Sequence, residues 1–299
     1  ATGVVAALHP AFLWNSADVQ SEPLFTTLLL AAGLLLAAAT DRPSSGLAAG
    51  AGVFLALSAL TRASALALSP FLAAPLFDRR HPLRARAHLA AAGVFGFALA
   101  LAPWTVRNGV VFGELVPVND ASGNAFYQGN SDWAMRFFEI GSRSEYLRWV
   151  EELHRDMARR TEALRRRGKI LPSERSHAFI ERAIEERRKD PAGWVRLLAR
   201  KAWEWLRPYP TPWFWPRPVV VATGLYYLVL YAFAAIGLVH APRGGVRAFA
   251  LGILAVSFAA HVVILVVWRY RVPYWDPVLL LYGVFGAGGT LLSRWRFSA

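Results

Sequence analysis

Five groups of polar side chains interrupt this largely apolar chain of 299 residues. Asp18 and Glu22 come just before an apolar run. Carboxylates at such an edge suit acid–base work or metal binding, and solvated loop charges are the plain alternative, above all for Asp18. Arg62 stands alone inside the apolar stretch 46–77. An ionisable residue there is a functional candidate by default, with a snorkelling structural arginine as the competing reading. Arg107 and Asn108, in PWTVRNGVVFG, follow the apolar run 87–104, where helix termination alone would explain a polar pair. SGNAFYQGN at 122–130 holds Tyr127 and Asn130, a ring and an amide of the kind that match sugar faces and hydroxyls; a simple turn is the alternative. In WRYRVPYWDP at 268–277, Arg269 and Arg271 precede a helix start. Arginine forks bind phosphate oxygens well, and headgroup anchoring would use the same residues. Arg62, Arg269 and Arg271 together predict a cationic pocket for an anionic, lipid-linked substrate.

The elements that must position these groups are mostly membrane-length helices. Hydrophobic residues make up 55% and charged residues 18%, below the quarter or so usual for a soluble domain. Residues 105–218 hold 21 of the 33 Lys and Arg and 15 of the 20 Asp and Glu, so the apolar remainder is nearly uncharged. The pattern predicts an all-α polytopic membrane protein with membrane helices in 1–104 and 219–299 around a mainly helical, water-exposed insert, 105–218. Expected crossings are 23–39, 87–104, 219–239, 246–268 and 276–292, with 4–14 as the tail of another. The 32 residues of 46–77 are too long for one crossing, and two short helices turning at Thr61–Arg62 keep the guanidinium out of the bilayer centre.

Loop 78–86 carries four Arg and is expected on the cytoplasmic side, which puts the insert and 269–275 on the outer face. Arg243, Arg294 and Arg296 fit the inner side in the same scheme. Within the insert, 105–132 reads as irregular. A helical stripe follows through Tyr146, Val150, Leu153, Met157 and Leu164, and Ser173 is a cap candidate for the next helix. Asp190–Pro191 opens a third helix, whose Trp194, Leu197, Leu198, Trp205 and Leu206 suggest an interfacial face, with Arg196, Arg200 and Lys201 elsewhere.

The net charge of +13 is spread along the chain rather than gathered into a basic stripe with stacking aromatics, which argues against nucleic acid. With no Cys and no ligand spacing among seven His, no thiol chemistry, metal ligand set or cofactor is predicted. A divalent-metal requirement stays open.

Five segments carry a resemblance: HPAFLWNSADVQSEPLF (9–25), GLAAGAGVFLALSALTRASALALSP (46–70), PWTVRNGVVFGELVPVNDASGNAFYQGN (103–130), DPAGWVRLLARKAWEWL (190–206) and RYRVPYWDPVLLL (269–281). In this order they resemble bacterial glycosyltransferase family 39, with its relatives of the protein O-mannosyltransferases and lipid A aminoarabinose transferases. The resemblance implies a C-type glycosyltransferase fold in the bacterial inner (cytoplasmic) membrane. It implies a polyprenyl-phosphate sugar donor used at the outer face, and an acceptor (protein, lipid or glycan) that the motifs do not specify. By the same resemblance Glu22 matches a carboxylate flanking the active site, and Arg62 falls where a basic residue faces the donor phosphate. Arg269 and Arg271 match the late membrane-edge basic motif. The family's principal acid belongs to a first outer loop ahead of Ala1, so the stretch 1–299 is expected not to transfer sugar by itself. The competing functions are a noncatalytic lipid-binding or assembly subunit and a lipid-linked sugar transporter.

Overall fold

The computed structural model describes residues 7, 9–17, 20–119, 121–169, 171–241 and 245–295, which contain helices and no strand. Asp18, Asp120, Arg243 and Arg296, the side chain of Arg294, and most of the expected segment 4–14 before His9 lie outside the described residues. In chain order the helices are α1 (Pro10–Ala17), α2 (Glu22–Asp41), α3 (Ser45–Thr61), a 3-10 helix (Ala63–Phe77), α4 (Leu83–Phe112), α5 (Ser122–Asn130), α6 (Asp132–Phe137), α7 (Arg143–Arg166), α8 (Pro172–Lys189), α9 (Pro191–Leu206), α10 (Arg217–His240), α11 (Gly245–Val263), a 3-10 turn (Trp268–Arg271) and α12 (Val272–Trp295). Three of them, α2, α4 and α10, are long and apolar enough to cross a membrane. The chain divides into two compact units. One is formed by 1–102, 221–257 and 269–299, the other by 103–220 and 258–268.

In the first unit the stretch 46–77 breaks at Arg62, which has extended backbone torsions and separates α3 from the 3-10 helix. Pro70 and Pro75 lie inside that second piece. Each lacks an N–H and crowds the preceding turn of an α-helix, which favours the tighter winding. At 2.0 Å per residue its 15 residues reach about 30 Å, against about 26 Å for α3 at 1.5 Å. Small residues let α3 approach α4 closely. A Cβ on Gly52 would lie 1.9 Å from the Gly93 carbonyl oxygen, and one on Gly96 would lie 2.1 Å from that of Ala49. Gly237 on α10 and Gly286 on α12 make the same kind of contact with the backbone of Tyr282 and Phe233. The loop after the 3-10 helix is held by Arg80, which binds Asp78 at 2.7 Å and Asp41 at 3.1 Å. The guanidinium holds the Asp78 carboxyl down to about 2.

The second unit departs from the sequence reading at its start. Residues 105–112 are not irregular: α4 runs on through Pro103 to Phe112. Asn108 is buried in its last turns and donates to the carbonyls of Val116 and Val118 at 3.0 and 3.1 Å. The returning chain, which reverses at Gly113 (φ +72°), thus satisfies an amide that looked like a helix terminator. The core of this unit is Tyr127, Leu153, Phe179 and Ala183, with Trp133, Trp149, Met157 and Leu164 around it. The stripe on α7 therefore faces inward, and the helix ends before Gly168 at φ +79°. Ser173 lies inside the first turn of α8, after Pro172, and its hydroxyl binds Glu114 instead of capping the helix. Asp190 caps α9, accepting from the Gly193 amide at 2.8 Å. Helix α11 stops at Val263, five residues short of the expected 268, and Phe258–Trp268 packs with 103–220.

The α3–α4 contact leads to a test. Gly96→Val should destabilise the purified protein by about 1–3 kcal/mol or more, because backbone rather than a movable side chain blocks the new Cβ. Gly288→Ala, with nothing among the described residues within 4 Å of the added carbon, should be neutral or mildly stabilising. Thermal unfolding in detergent reads both.

Candidate functional site

Three of the sequence candidates meet in the first unit. Glu22 opens α2, ahead of Pro23, where the positive end of the helix dipole favours a carboxylate. It is only 3% exposed. Arg62, thrown outward by its extended backbone, reaches Glu22 Oε1 at 2.8 Å and donates to Ser21 Oγ at 3.3 Å. Arg269 approaches the same carboxylate oxygen with Nε at 3.9 Å, and its side chain is half exposed. Tyr270 joins the two cations: its ring centroid is 4.7 Å from the Arg62 guanidinium carbon and 5.6 Å from that of Arg269. The negative ring face offsets part of the repulsion between two guanidinium groups. The cluster keeps one positive charge beyond what Glu22 neutralises, and its most exposed member is a cation. Such an edge suits an anion held next to a carboxylate that can take a proton.

Arg271 does not belong to this cluster. Although Arg269 and Arg271 share one 3-10 turn, Arg271 turns into a second, fully buried group. Its Nη1 donates to the Tyr231 hydroxyl at 2.6 Å, its guanidinium lies 4.6 Å from the Tyr227 ring centroid, and its Nε is 3.8 Å from Asp276 Oδ1. Tyr227 donates to Asp276 Oδ2 at 2.5 Å, and His9 Nε2 lies 3.6 Å from that oxygen. Arg271, Asp276 and His9 all have no exposed surface. The structure thus does not bring Arg271 to Arg62 and Arg269, with which the sequence grouped it; its guanidinium links α10 and α12. Asp276 is sealed in the same group. The spacing of Tyr227 and Tyr231, four apart on α10, was the available signal for this group.

The remaining candidates lie in the second unit. Tyr127 and Asn130 sit on a helix, not a loop, and each is 1% exposed. The Tyr127 hydroxyl donates to Asp156 at 2.9 Å, an oxygen that also accepts from Trp133 and Arg160. Burial, with the Asp156 hydrogen bond adding to it, pushes the phenol well above its ordinary value. Asn130 donates to the Phe126, Val263 and Ile264 carbonyls at 2.9–3.0 Å. Expected to meet a sugar, both are instead buried here and engaged in internal hydrogen bonds. Arg107 is exposed, bonds its neighbour Asn108 and lies over the Trp104 ring at 5.2 Å. Among the described residues, no group of three or more His, Asp or Glu could hold a metal ion.

Lys201 is the residue that the sequence reading misplaced on the polar side of α9. It is 1% exposed, and its ammonium donates to Asn130 Oδ1 and to the Val263 and Ile264 carbonyls at 3.2–3.3 Å. Leu197, Lys201 and Trp205 recur every four residues, which puts the lysine in the middle of the buried stripe. It seats a positive charge on the carbonyl end of α11, where the helix dipole favours one.

Two outcomes follow. Arg62→Ala strands a buried carboxylate and should cost about 3 kcal/mol, whereas Glu22→Gln combined with Arg62→Met should recover much of that loss in thermal unfolding. Burial pushes the Lys201 ammonium down to about 7, from 10.5 when unfolded. Between these values the unfolded chain holds the extra proton, so stability should climb as pH rises from about 7 and level off above 10.5. Below about 7 both states are protonated and the fold bears the full cost of a buried ammonium. Lys201→Met should flatten this rise in unfolding measured across that window.

No protein-family model, curated protein or solved structure matches the chain.

Proposed function

We propose that the chain belongs to a polytopic membrane glycosyltransferase with a C-type helix bundle, which passes a sugar from a polyprenyl-phosphate donor to an acceptor at the outer face of the bacterial inner membrane. The observation that carries the reading is the pairing of Arg62 and Arg269 on Glu22 Oε1 beside Tyr270. Two cations and a carboxylate at one edge of apolar helices are what transfer from a lipid phosphate requires. The three helices long and apolar enough to span a bilayer support the membrane setting, and the four arginines of 78–86 support the orientation.

In the proposed reaction the donor phosphate binds Arg269 and draws Arg62 from Glu22, which frees the carboxylate oxygen. The acceptor oxygen or nitrogen attacks the anomeric carbon as Glu22 takes its proton. The bond from that carbon to the phosphate oxygen breaks, and the electron pair leaves with the lipid phosphate. Negative charge grows on the leaving phosphate, against the guanidinium groups of Arg269 and Arg62 that by then hold it, so stabilisation is greatest in the transition state. A noncatalytic lipid-binding subunit would use the same cations, and one observation favours it as a second reading: Glu22 is already engaged by Arg62 at 2.8 Å.

Binding and turnover separate the readings. Arg269→Gln should weaken polyprenyl-phosphate binding by more than tenfold, since losing a charged partner in a partly desolvated pair costs about 2–5 kcal/mol. Arg271→Gln should lower folding yield instead. In a preparation that turns over a radiolabelled donor, Glu22→Gln should abolish turnover while donor binding persists. Wild-type turnover by that variant would exclude Glu22 as the base.

A further inference from the structure

Helix α9 has two apolar faces, and the fold uses one of them. Leu197, Lys201 and Trp205 are buried in the second unit. On the opposite side Val195, Trp203 and Leu206 are open, at 67%, 58% and 41% exposure, and exposed Ala192 and Ala199 complete the row. With 3.6 residues per turn these five positions fall within roughly 80° of arc, facing away from the buried set. This is not the face that the run Trp194, Leu197, Leu198, Trp205, Leu206 suggests in the sequence, because Leu197 and Trp205 are the two most deeply packed residues of the helix. A continuous exposed apolar row rimmed by charge marks a docking surface rather than a solvated helix.

The surroundings identify the occupant. Arg196 and Arg200 are exposed along one border of the row. The one acid of α9, Glu204, is buried and paired with Arg207, so the open face is cationic. Asp190, the cap, touches Arg196 at 3.7 Å. The connector 207–216 is rich in proline and aromatic residues, with Phe214 44% exposed, and leads directly into α10, a helix of membrane-spanning length. The first residues of α10, Arg217–Val220, belong to the same unit as α9. A stripe of Trp and aliphatic residues bordered by arginines, tethered this close to the end of a candidate span, has the composition of a helix that lies in the headgroup region. We infer that the Val195–Leu206 face of α9 docks the second unit on the surface of a bilayer containing anionic lipid, with Arg196 and Arg200 on lipid phosphates. The inference rests on the membrane setting proposed above and not on the sugar chemistry.

The chain has no Cys, so single labels report cleanly. The test uses the full chain, one copy per nanodisc, with the fluorophore NBD on Val195→Cys or Ala199→Cys. Glu162→Cys on α7 gives an aqueous control, and Val229→Cys on α10 gives a control within the span. Discs contain phosphatidylglycerol and lipid spin-labelled near the headgroup. Both α9 labels should be blue-shifted and quenched by the shallow spin label, and Arg196→Gln with Arg200→Gln, or wholly zwitterionic discs, should reduce that quenching. Labels on α9 that behave like Glu162→Cys while Val229→Cys is lipid-embedded would overturn the docking and leave the membrane setting intact. Blue-shifted but unquenched α9 labels would overturn it in favour of a protein partner. Quenching unaffected by the arginines and by lipid charge would overturn the role given to anionic headgroups. A water-exposed Val229→Cys would remove the membrane setting and the docking together.

Discussion

A guanidinium placed between two apolar helices needs a counter-charge, and the Arg62–Glu22 pair meets that need. The helical path breaks at Arg62 because the residue takes an extended backbone there, and the break aims its side chain at the first turn of α2. Glu22 is seated by its own helix dipole and by the chain turn at Ser21–Pro23. The α2–α3 hairpin is therefore closed at one end by charge, while small residues bring α3 close to α4. Arg269, arriving from a segment more than 200 residues later, finds a carboxylate already ionically engaged and remains half exposed. That leftover cation is what gives the edge its capacity for an anion.

Two other buried charges show the opposite economy. Arg271 and Lys201 are sealed from solvent, and each is surrounded by oxygen: phenol hydroxyls and a carboxylate for Arg271, helix-end carbonyls and an amide for Lys201. Removing one partner from such a group leaves an uncompensated charge, so these positions tie elements together and have little freedom to change partner. In the proposed roles, contact with a ligand falls to cations that keep an open side, as Arg269 does in the first unit and Arg196 and Arg200 do in the second. Burial and pairing, rather than residue type, separate the two roles.

Local signals carried much of this into the sequence. The apolar runs of α2, α4 and α10, the stripe of α7, the Asp190 cap and the break at Arg62 all depend on residues a few positions apart, so length and periodicity reveal them. Pairing at long range was not legible. Nothing near Glu22 announces Arg62, forty positions away, and the shared turn of Arg269 and Arg271 suggested a common role that their opposite directions deny. Polar letters misled where tertiary carbonyls satisfied them. Asn108 reads as a helix terminator and Tyr127 and Asn130 as sugar-recognition residues, yet each bonds another segment packed against its helix. Lys201 was legible in principle, since its four-residue spacing from Leu197 and Trp205 puts it on the buried stripe, but its charge suggested solvent.

Under the proposed function, Arg62 and Arg269 hold the phosphate of a lipid carrier beside Glu22. That assignment is tested most directly by comparing the affinity of the purified chain for a polyprenyl phosphate with that for the corresponding polyprenol, at low and high salt. The two lipids share a tail and differ only in the group that the cations would meet. A phosphate held by these cations should give clear preference for the phosphate lipid, fading as salt screens the partly exposed Arg269. Equal affinity for phosphate and alcohol, unaffected by salt, would show that the chain recognises the tail alone and would contradict the assignment of this cluster as a phosphate site.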